Sequence, residues 1–245
     1  MKTRKEKVLA FRPIVWITGA SRGIGKELVK QFASIGCKVA LSSRSEKELL
    51  KVEKEIISLG GIAKSFRCDV ANEKEIIQTQ KKIQKEFGEI EVLINNAGIT
   101  VFKSVEKTSI EEFDDILSVN LRGMFLCVKS VLPPMLKKKK GWIFNILSTA
   151  STTTFKNSGA YSASKSGAMM LGKVLREELR EKNIRVVNVF PGATETTMWS
   201  ESSRKKYSSR MMSPESVAEV VMNIYRFPSD VVCEEIILRP MLGDI

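Results

Sequence analysis

The chain has 245 residues, of which 43% are hydrophobic and 28% charged, and it carries a formal net charge of +12. This length and composition are typical of one globular domain with a sizeable core. The sequence contains no histidine, and its four cysteines form no CxxC motif. Zinc fingers, Ser-His-Asp triads and histidine metal sites are therefore excluded, and we predict no metal site and four reduced thiols.

Hydrophobicity and charge along the chain predict its cellular compartment and its partners. No apolar run reaches the roughly 18 residues that span a bilayer. We interpret residues 1–12 as a basic tail, because its apolar stretch is too short for a signal peptide. We therefore expect a cytoplasmic protein without a membrane partner. The basic residues are spread through helical Lys/Glu patterns, and the dense run 137–140 lies at a predicted helix end, where lysines complement the helix dipole. Nucleic-acid binding is left as an alternative that rests on charge alone.

The first predicted elements are a strand, a glycine-rich turn and a helix. Ile14–Thr18 is a short apolar run, followed by TGASRGIG and by a helical pattern that ends at Gly36. In this context glycines allow a tight turn and a close approach of the backbone to a pyrophosphate at a helix N-terminus. An ordinary strand–helix turn explains one glycine and not three. The stretch predicts a dinucleotide site formed by Gly19, Ser21, Arg22, Gly23, Ile24 and Gly25.

The end of the second strand predicts which dinucleotide binds. An NAD site usually has Asp or Glu about 20 residues beyond the glycines, to bind the ribose 2′-hydroxyl. Here the predicted strand Lys38–Ser43 ends in Ser42-Ser43-Arg44, without an acid. Arg44 can instead meet a 2′-phosphate, and Arg22 can add a second positive group. The sequence therefore predicts NADP(H); the alternative is that Arg44 is a solvated charge before a helix.

The next helix and strand follow the same alternation. Ser45 and Glu48 have the spacing of a capping box, so Glu48 is interpreted as a first-turn acid rather than a ribose ligand. A third predicted strand, Ile62–Arg67, leads to Asp69 and Val70.

The fourth predicted strand, 91–94, ends in the sequence NNAG at 95–98. Amide and small residues at the carboxyl end of a strand fit the floor of a site, although such sequences are also plain turns. A helix at about 109–132 follows and contains Asn120. The prolines 133–134 are expected to kink or shorten its far end.

The remaining elements complete an alternating pattern of strands at 142–147, 184–190 and 231–238, a long helix at 158–181 and a final helix beginning at Ser213. The polar segment 193–213, which contains Met198 and Trp199, is interpreted as a substrate lid. The alternation predicts an α/β, Rossmann-type doubly wound sheet of seven parallel strands with helices on both faces. We expect a single NADP-binding domain over residues 1–245.

Three side chains near the fifth strand have the chemistry of proton transfer. Tyr161 and Lys165 are four apart and share one face of the predicted helix. An ammonium beside a phenol favours the phenolate and lowers its pKa, which would let Tyr161 exchange a proton with a substrate oxygen. Ser148 follows the fifth strand and supplies a neutral donor for that oxygen. A tyrosine–lysine pair alone is more simply explained by packing. The predicted dinucleotide site in the same chain is the observation that favours a catalytic function.

These motifs together resemble the short-chain dehydrogenase/reductase family from about residue 14 to residue 238. The motifs that carry the resemblance are TGxxxGxG as TGASRGIG, NNAG at 95–98, Asn120, Ser148 thirteen residues before Tyr161, YxxxK at 161–165 and PGxxxT at 191–196. The resemblance implies that Tyr161 is the general acid/base and that Lys165 holds the nicotinamide ribose while lowering the pKa of the tyrosine. It implies that Ser148 orients the carbonyl and that Asn120 supports a water-linked proton relay. The further cofactor contacts that it implies are Ser43, Arg44, Asp69, Val70, Asn95, Ala97, Gly98, Pro191, Gly192, Thr194 and Thr196.

The function implied is an NADP(H)-dependent hydride transfer between nicotinamide and a carbonyl or secondary alcohol. The alternatives are a 3-oxoacyl-thioester reductase and a catalytically silent NADP-binding regulator. The C-terminal sequence lacks the glycine pair of bacterial 3-oxoacyl-carrier-protein reductases, which disfavours the thioester. The family also implies a homodimer or homotetramer formed through the helices at 109–132 and 158–181.

Overall fold

The computed structural model describes residues 12–245, so nearly all of the predicted basic tail lies outside the described residues. Seven strands form one sheet with the order β3-β2-β1-β4-β5-β6-β7, and every neighbouring pair is parallel. The predicted Rossmann-type doubly wound fold is confirmed. The strands are β1 (Ile14–Thr18), β2 (Lys38–Ser43), β3 (Ile62–Arg67), β4 (Val92–Asn95), β5 (Gly141–Ile146), β6 (Ile184–Pro191) and β7 (Glu235–Leu238).

The described part of the chain contains eight α-helices, and the longer ones cover both faces of the sheet. The eight helices are α1 (Gly23–Ser34), α2 (Glu46–Ser58), α3 (Glu73–Glu86), α4 (Ile110–Leu117), α5 (Gly123–Lys138), α6 (Gly159–Leu179), α7 (Glu201–Tyr207) and α8 (Pro214–Tyr225). Successive strand residues point to opposite faces, so Val15 and Ile17 join a core with α1, α2 and α8. Trp16 points the other way, into a core with α3, α5 and α6.

The strand order positions the functional site. The chain leaves β1 towards β2 on one side, while β4 pairs with the other side of β1. This reversal is the topological switch point, where the loops that follow two neighbouring strands separate and leave a crevice at their carboxyl ends. The glycine-rich loop after β1 and the NNAG segment after β4 both lie there.

The helix predicted at 109–132 is longer and less regular than expected. It begins at a capping box between Ser109 and Glu112, passes through the π-helical segment Ser118–Arg122 and continues as α5 to Lys138, with both prolines inside it. Proline removes a backbone hydrogen bond, but Val131 and Met135 are buried on either side of the pair. Burial of these side chains therefore holds the last turns in place.

Among the residues that the structure describes, Ile110–Lys138 is the one helix long and apolar enough to cross a membrane by length and composition. Its most apolar 18-residue window has a mean hydropathy of 1.3, and 44% of that window is buried. Leu126, Val128 and Val131 pack into the core beneath the sheet. The helix therefore has the burial of a core helix in an α/β fold.

Two smaller expectations are wrong. Ser45 precedes α2, yet its side chain makes no capping hydrogen bond, and Glu48 pairs with Lys51 at 2.8 Å instead. The seventh strand begins at Glu235 rather than at residue 231, because a turn from Pro228 precedes it. The cysteines of the described chain are free, and three of the four are buried, as expected.

Candidate active site

A cleft of about 700 Å³ lies at the carboxyl ends of the strands, a size typical of small-molecule and cofactor sites. Three of the predicted site residues do not line the cleft: Gly25, Asn95 and Asn120. The other predicted residues line it: Gly19, Ser21, Arg22, Gly23, Ile24, Ser43, Arg44, Asp69, Val70, Ala97, Gly98, Ser148, Tyr161, Lys165, Pro191, Gly192, Thr194 and Thr196.

The glycine-rich loop leaves the first turn of α1 open to the cleft. Gly19 and Gly23 have φ angles of +64° and +55°, a region that favours glycine. Arg22 precedes the helix without a side-chain cap, and the first turn contains no acid. The first N–H groups of a helix attract anions. This end of the cleft therefore fits the pyrophosphate of a dinucleotide.

Asn96 ties the loop after β4 to the loop after β1. Its Nδ2 donates to the carbonyl oxygens of Thr18 and Gly19, both at 3.0 Å. The backbone N–H of Asn96 donates in turn to Thr18 Oγ1 at 3.0 Å. A Cβ added to Gly25 would lie 2.2 Å from the Gly19 oxygen and 2.5 Å from Asn96 Nδ2. A residue larger than glycine would therefore not fit at position 25, where α1, the glycine-rich loop and the side-chain amide of Asn96 meet.

We expect Gly25→Ala to weaken dinucleotide binding by at least tenfold, because the added methyl group separates Asn96 from the loop and misplaces the N-terminus of α1. The matched control is Gly167→Ala on α6, where the new Cβ would meet only the flexible Leu121 side chain at 3.0 Å. The measurement is the NADPH dissociation constant of both variants by fluorescence titration. Unchanged affinity in Gly25→Ala would contradict this function of the loop.

The same end of the cleft carries positive charge. Arg22 and Arg44 are exposed, line the cleft and make no ion pair with another residue in the range 12–245. Ser43 is the last residue of β2, and the uncapped start of α2 follows Arg44 and Ser45. Glu48 also borders this end, where its carboxylate pairs with Lys51 and interacts more weakly with the charge of Arg22. Two guanidinium groups that lack a direct ion pair, beside a small residue, fit a phosphate on the adenine ribose.

Tyr161 lies in the first turn of α6 and is only 7% exposed. Burial raises the pKa of its phenol above the ordinary value, while a hydrogen bond with the Ser148 side chain partly opposes that change. Ser148 follows β5 and accepts a hydrogen bond from the N–H of Ala150 at 3.1 Å. Tyr161 is therefore protonated at neutral pH, beside a hydroxyl that faces the same cleft.

Lys165 lies beside Tyr161 and lines the same cleft, as their four-residue spacing predicts. Its Nζ lies 5.8 Å from the centroid of the Tyr161 ring and donates to the carbonyl oxygen of Ile146 at 2.9 Å. Burial lowers the pKa of Lys165 to about 8. Burial raises the pKa of Tyr161 despite the nearby ammonium, and the lowering of that pKa by Lys165 stays a prediction.

Asn120 lies in the π-helical segment and is 3% exposed. Its Oδ1 accepts from the N–H of Ile99 at 2.8 Å, and its Nδ2 donates to the carbonyl of Ile99 at 2.9 Å and to Ser164 Oγ at 3.0 Å. A π-turn inside an α-helix is often found at functional sites. Here it lets one amide join the loop after β4 to the helix that carries Tyr161.

Asn95 is part of a buried amide ladder across the sheet. Its Nδ2 donates to Asn145 at 3.0 Å, and Asn145 donates to Asn188 at 3.0 Å. The Oδ1 atom of Asn95 is buried without a partner. A cavity of about 10 Å³ borders Asn95, Asn120 and Lys165, which is about the space of one water molecule.

The substrate end of the cleft contains residues that sequence reasoning did not single out. Phe102, on the loop after β4, and Asp244, near the end of the chain, line it together with Met198 and Trp199. Phe102 has no periodicity or motif that marks it in the sequence. Backbone hydrogen bonds between Met212 and residues 193 and 195 close the base of the segment 193–213.

The family model described as short chain dehydrogenase matches residues 13–207. The chain belongs to the short chain dehydrogenase family. The fold, the cleft and the family together identify it as an oxidoreductase.

Relatives in this family cover almost the whole chain. Sepiapterin reductase of Chlorobaculum tepidum is 34% identical over 242 residues, which cover 96% of this chain and 99% of that protein. A 3-oxoacyl-[acyl-carrier-protein] reductase of Synechocystis is 38% identical over 186 residues, 76% of this chain and 75% of that protein. The crystal structure of a metagenomic short-chain oxidoreductase in complex with NADP has a TM-score of 0.83 and 31% identity, covering 94% of this chain and 98% of that one.

Proposed function

We propose that this short chain dehydrogenase interconverts a carbonyl compound and its secondary alcohol with NADP(H). The observation that carries the proposal is one continuous cleft. It begins at the open N-terminus of α1 and ends where the side chains of Ser148 and Tyr161 meet. A proton donor and a dinucleotide site are the two components that the reduction of a carbonyl requires.

NADP(H) is the cofactor that the residues fit. The first turn of α1 and the glycine loop hold the pyrophosphate, and Arg22, Ser43 and Arg44 hold the 2′-phosphate. A neighbour with 31% identity was crystallised with NADP, which supports the same choice. When bound, the cofactor supplies or accepts the hydride.

The chain's own residues handle the oxygen and the proton. Ser148 is a neutral donor that orients the substrate carbonyl, and Tyr161 gives its proton to the same oxygen as negative charge develops there. A raised pKa of Tyr161 keeps the phenol protonated and suits it to be the acid in reduction. In alcohol oxidation Tyr161 is the base, which requires a higher pH.

Lys165 and Asn120 support that proton transfer. Lys165 holds the nicotinamide ribose, and its ammonium form, which prevails below pH about 8, favours the phenolate left after proton donation. Asn120 fixes the loop and helix around the site, and the unpartnered Asn95 Oδ1 makes the small cavity suitable for a water. We propose that this water links Lys165 to Asn120 in a relay that returns the proton to Tyr161.

The proposal is tested with a panel of neutral ketones, quinones and acyl thioesters, each incubated with NADPH and the enzyme. We expect substrate-dependent loss of NADPH absorbance with at least one ketone or quinone, and formation of the alcohol. Tight NADPH binding without turnover of the whole panel would favour the catalytically silent regulator.

A 3-oxoacyl-thioester reductase is the second candidate. The similarity to the Synechocystis carrier-protein reductase and the basic surface, which suits an acidic carrier protein, favour it. The missing glycine pair at the C-terminus disfavours it. In the same panel, a kcat/KM for the acyl thioester well above that for free ketones would support the 3-oxoacyl-thioester reductase.

The organisation of the chain is proposed on the same basis. We propose that residues 12–245 belong to one NADP-binding domain of a cytoplasmic protein, and that 193–213 is the lid over the substrate. Met170 and Val174 lie four residues apart on α6, and both are about half exposed, as expected of an interface between copies of the chain. Phe125 on α5 is exposed in the same way.

We therefore expect a dimeric or tetrameric mass by light scattering at micromolar concentration. Met170→Lys with Val174→Lys should lower that mass, because two charges then replace the apolar strip. Ile57→Lys, at an equally exposed position on α2, is the control and should leave the mass unchanged. A monomeric mass for the unaltered protein would contradict this interface.

A further inference from the structure

Three aromatic rings connect the site of proton transfer to the lid. Phe102, on the loop after β4, stacks on Trp199 of the lid, with ring centroids 5.5 Å apart and planes inclined by 26°. The other neighbour of Phe102 is Tyr161, met edge-on with centroids 6.4 Å apart and planes at 61°. All three residues line the same cleft. An apolar wall with aromatic faces therefore begins directly beside the phenol.

This wall is not buried by the protein itself. Phe102 remains 47% exposed and Met198 39% exposed, although both line a concave site. Large apolar side chains exposed in a cleft favour a ligand that removes them from water. Aromatic rings add a preference for another ring placed edge-on or in offset contact, and the methionine sulfur adds a similar preference.

Two of the three charged side chains that line this end, Asp244 and Lys165, already have a partner in the protein. The carboxylate of Asp244 is paired with Arg239, and Lys165 is engaged with the carbonyl oxygen of Ile146. Lys156 lines the mouth of the cleft with its side chain exposed to water. The hydrogen-bonding groups for a carbonyl, Ser148 and Tyr161, lie at the inner end of the wall.

We propose that the substrate is a neutral aryl carbonyl compound whose ring lies against Phe102 and Trp199 while its oxygen contacts Ser148 and Tyr161. This inference rests on the proposed function, of which it names the substrate class. Conjugation keeps the ring and the carbonyl in one plane, so that a flat molecule reaches from the phenol to the lid. In the reaction the carbonyl carbon gains a hydride and the oxygen a proton, while NADPH is oxidised to NADP⁺.

A different function of the ring pair would be to hold the lid closed. In that case Phe102 and Trp199 would contribute equally to every substrate, whatever its shape. A flat substrate and a saturated analogue of the same size separate the two possibilities, because only the flat one loses a favourable contact when an aromatic face is removed.

The test compares acetophenone with cyclohexyl methyl ketone on the unaltered enzyme, Phe102→Leu and Trp199→Leu. We expect kcat/KM to favour acetophenone by roughly tenfold, and each leucine variant to lose roughly three- to tenfold for acetophenone with little change for the saturated ketone. Phe227→Leu, at an exposed aromatic residue outside the cleft, is the control. Equal losses for both ketones, or a preference for cyclohexyl methyl ketone, would overturn the inference.

Binding to the enzyme–NADP⁺ complex separates the substrate class from the chemistry. No hydride can be transferred in that complex, so calorimetric titration with the two ketones measures recognition alone. Tighter binding of acetophenone that Phe102→Leu abolishes supports the aryl class, even if NADPH turnover fails and the proposed function falls. Equal binding of the two ketones overturns the aryl class, whatever the turnover.

Discussion

Replacing Tyr161 by phenylalanine should reduce turnover by about 10²–10⁴-fold, the usual contribution of general acid/base catalysis. The ring remains, so the packing of α6 and the edge contact with Phe102 are retained. The transferable proton is lost, and with it the hydrogen bond to Ser148. NADPH affinity should stay close to that of the unaltered protein. The measurements are kcat on the best ketone of the panel and the NADPH dissociation constant.

The matched control is Tyr225→Phe, which alters a partly buried tyrosine whose ring packs on Phe32 and Trp142 away from the cleft. It should leave kcat nearly unchanged. Near-normal turnover in Tyr161→Phe would assign the proton to another group. A large loss in Tyr225→Phe would instead attribute the effect to general disturbance of the fold.

The same phenol sets the direction of the pH dependence. Burial raises the pKa of Tyr161, so the acid form persists through neutral pH and is lost only in alkaline solution. The rate of ketone reduction should therefore fall as the pH rises past that pKa. The rate of alcohol oxidation should rise over the same interval, because the phenolate is the base.

The choice of cofactor should follow Ser43 and Arg44. A hydrogen bond to a charged group contributes about 1.5–3 kcal/mol, or roughly ten- to a hundredfold in affinity, so NADPH should be preferred over NADH by at least that order. Ser43→Asp with Arg44→Ala should reverse the preference, because the new carboxylate repels the 2′-phosphate and accepts a bond from a free 2′-hydroxyl. The measurement is kcat/KM for both cofactors at one fixed salt concentration, since the contact is screened.

Lys47→Ala is the control for charge alone, because Lys47 is exposed on α2 and does not line the cleft. It should change the ratio of the two cofactors little. A preference of the unaltered enzyme for NADH would make Arg44 a solvated surface charge, and the cofactor choice would then be wrong.

Most of the fold could be predicted because its strands are short apolar runs between glycine-rich turns. Residues such as those of β1 and β6 are buried on both faces, so their composition marks them without any periodicity. The edge strand β7 alternates between exposed and half-buried residues, and its start was misplaced for that reason. The π-helical turn at Asn120 has no signal of its own, because its residues are equally compatible with an α-helix.

The site could be predicted where backbone geometry dictates the residue type. Gly19, Gly23 and Gly25 are needed for conformation or close approach, so a sequence motif reveals them. The direction of the Lys165 side chain depends on the carbonyl of Ile146, and the position of Phe102 depends on a loop. Such contacts form between distant parts of the chain and cannot be inferred from spacing.

Transfer of a hydride from the cofactor to a carbonyl carbon is tested most directly by isotopic labelling. The enzyme is incubated with its best ketone and NADPH deuterated at the transferable position, in ordinary water, and the product is examined by mass spectrometry and NMR. We predict an alcohol with one deuterium on the carbinol carbon, formed by the unaltered protein and almost undetectable with Tyr161→Phe. An alcohol without deuterium, or no alcohol from any ketone of the panel, would contradict the proposed reaction.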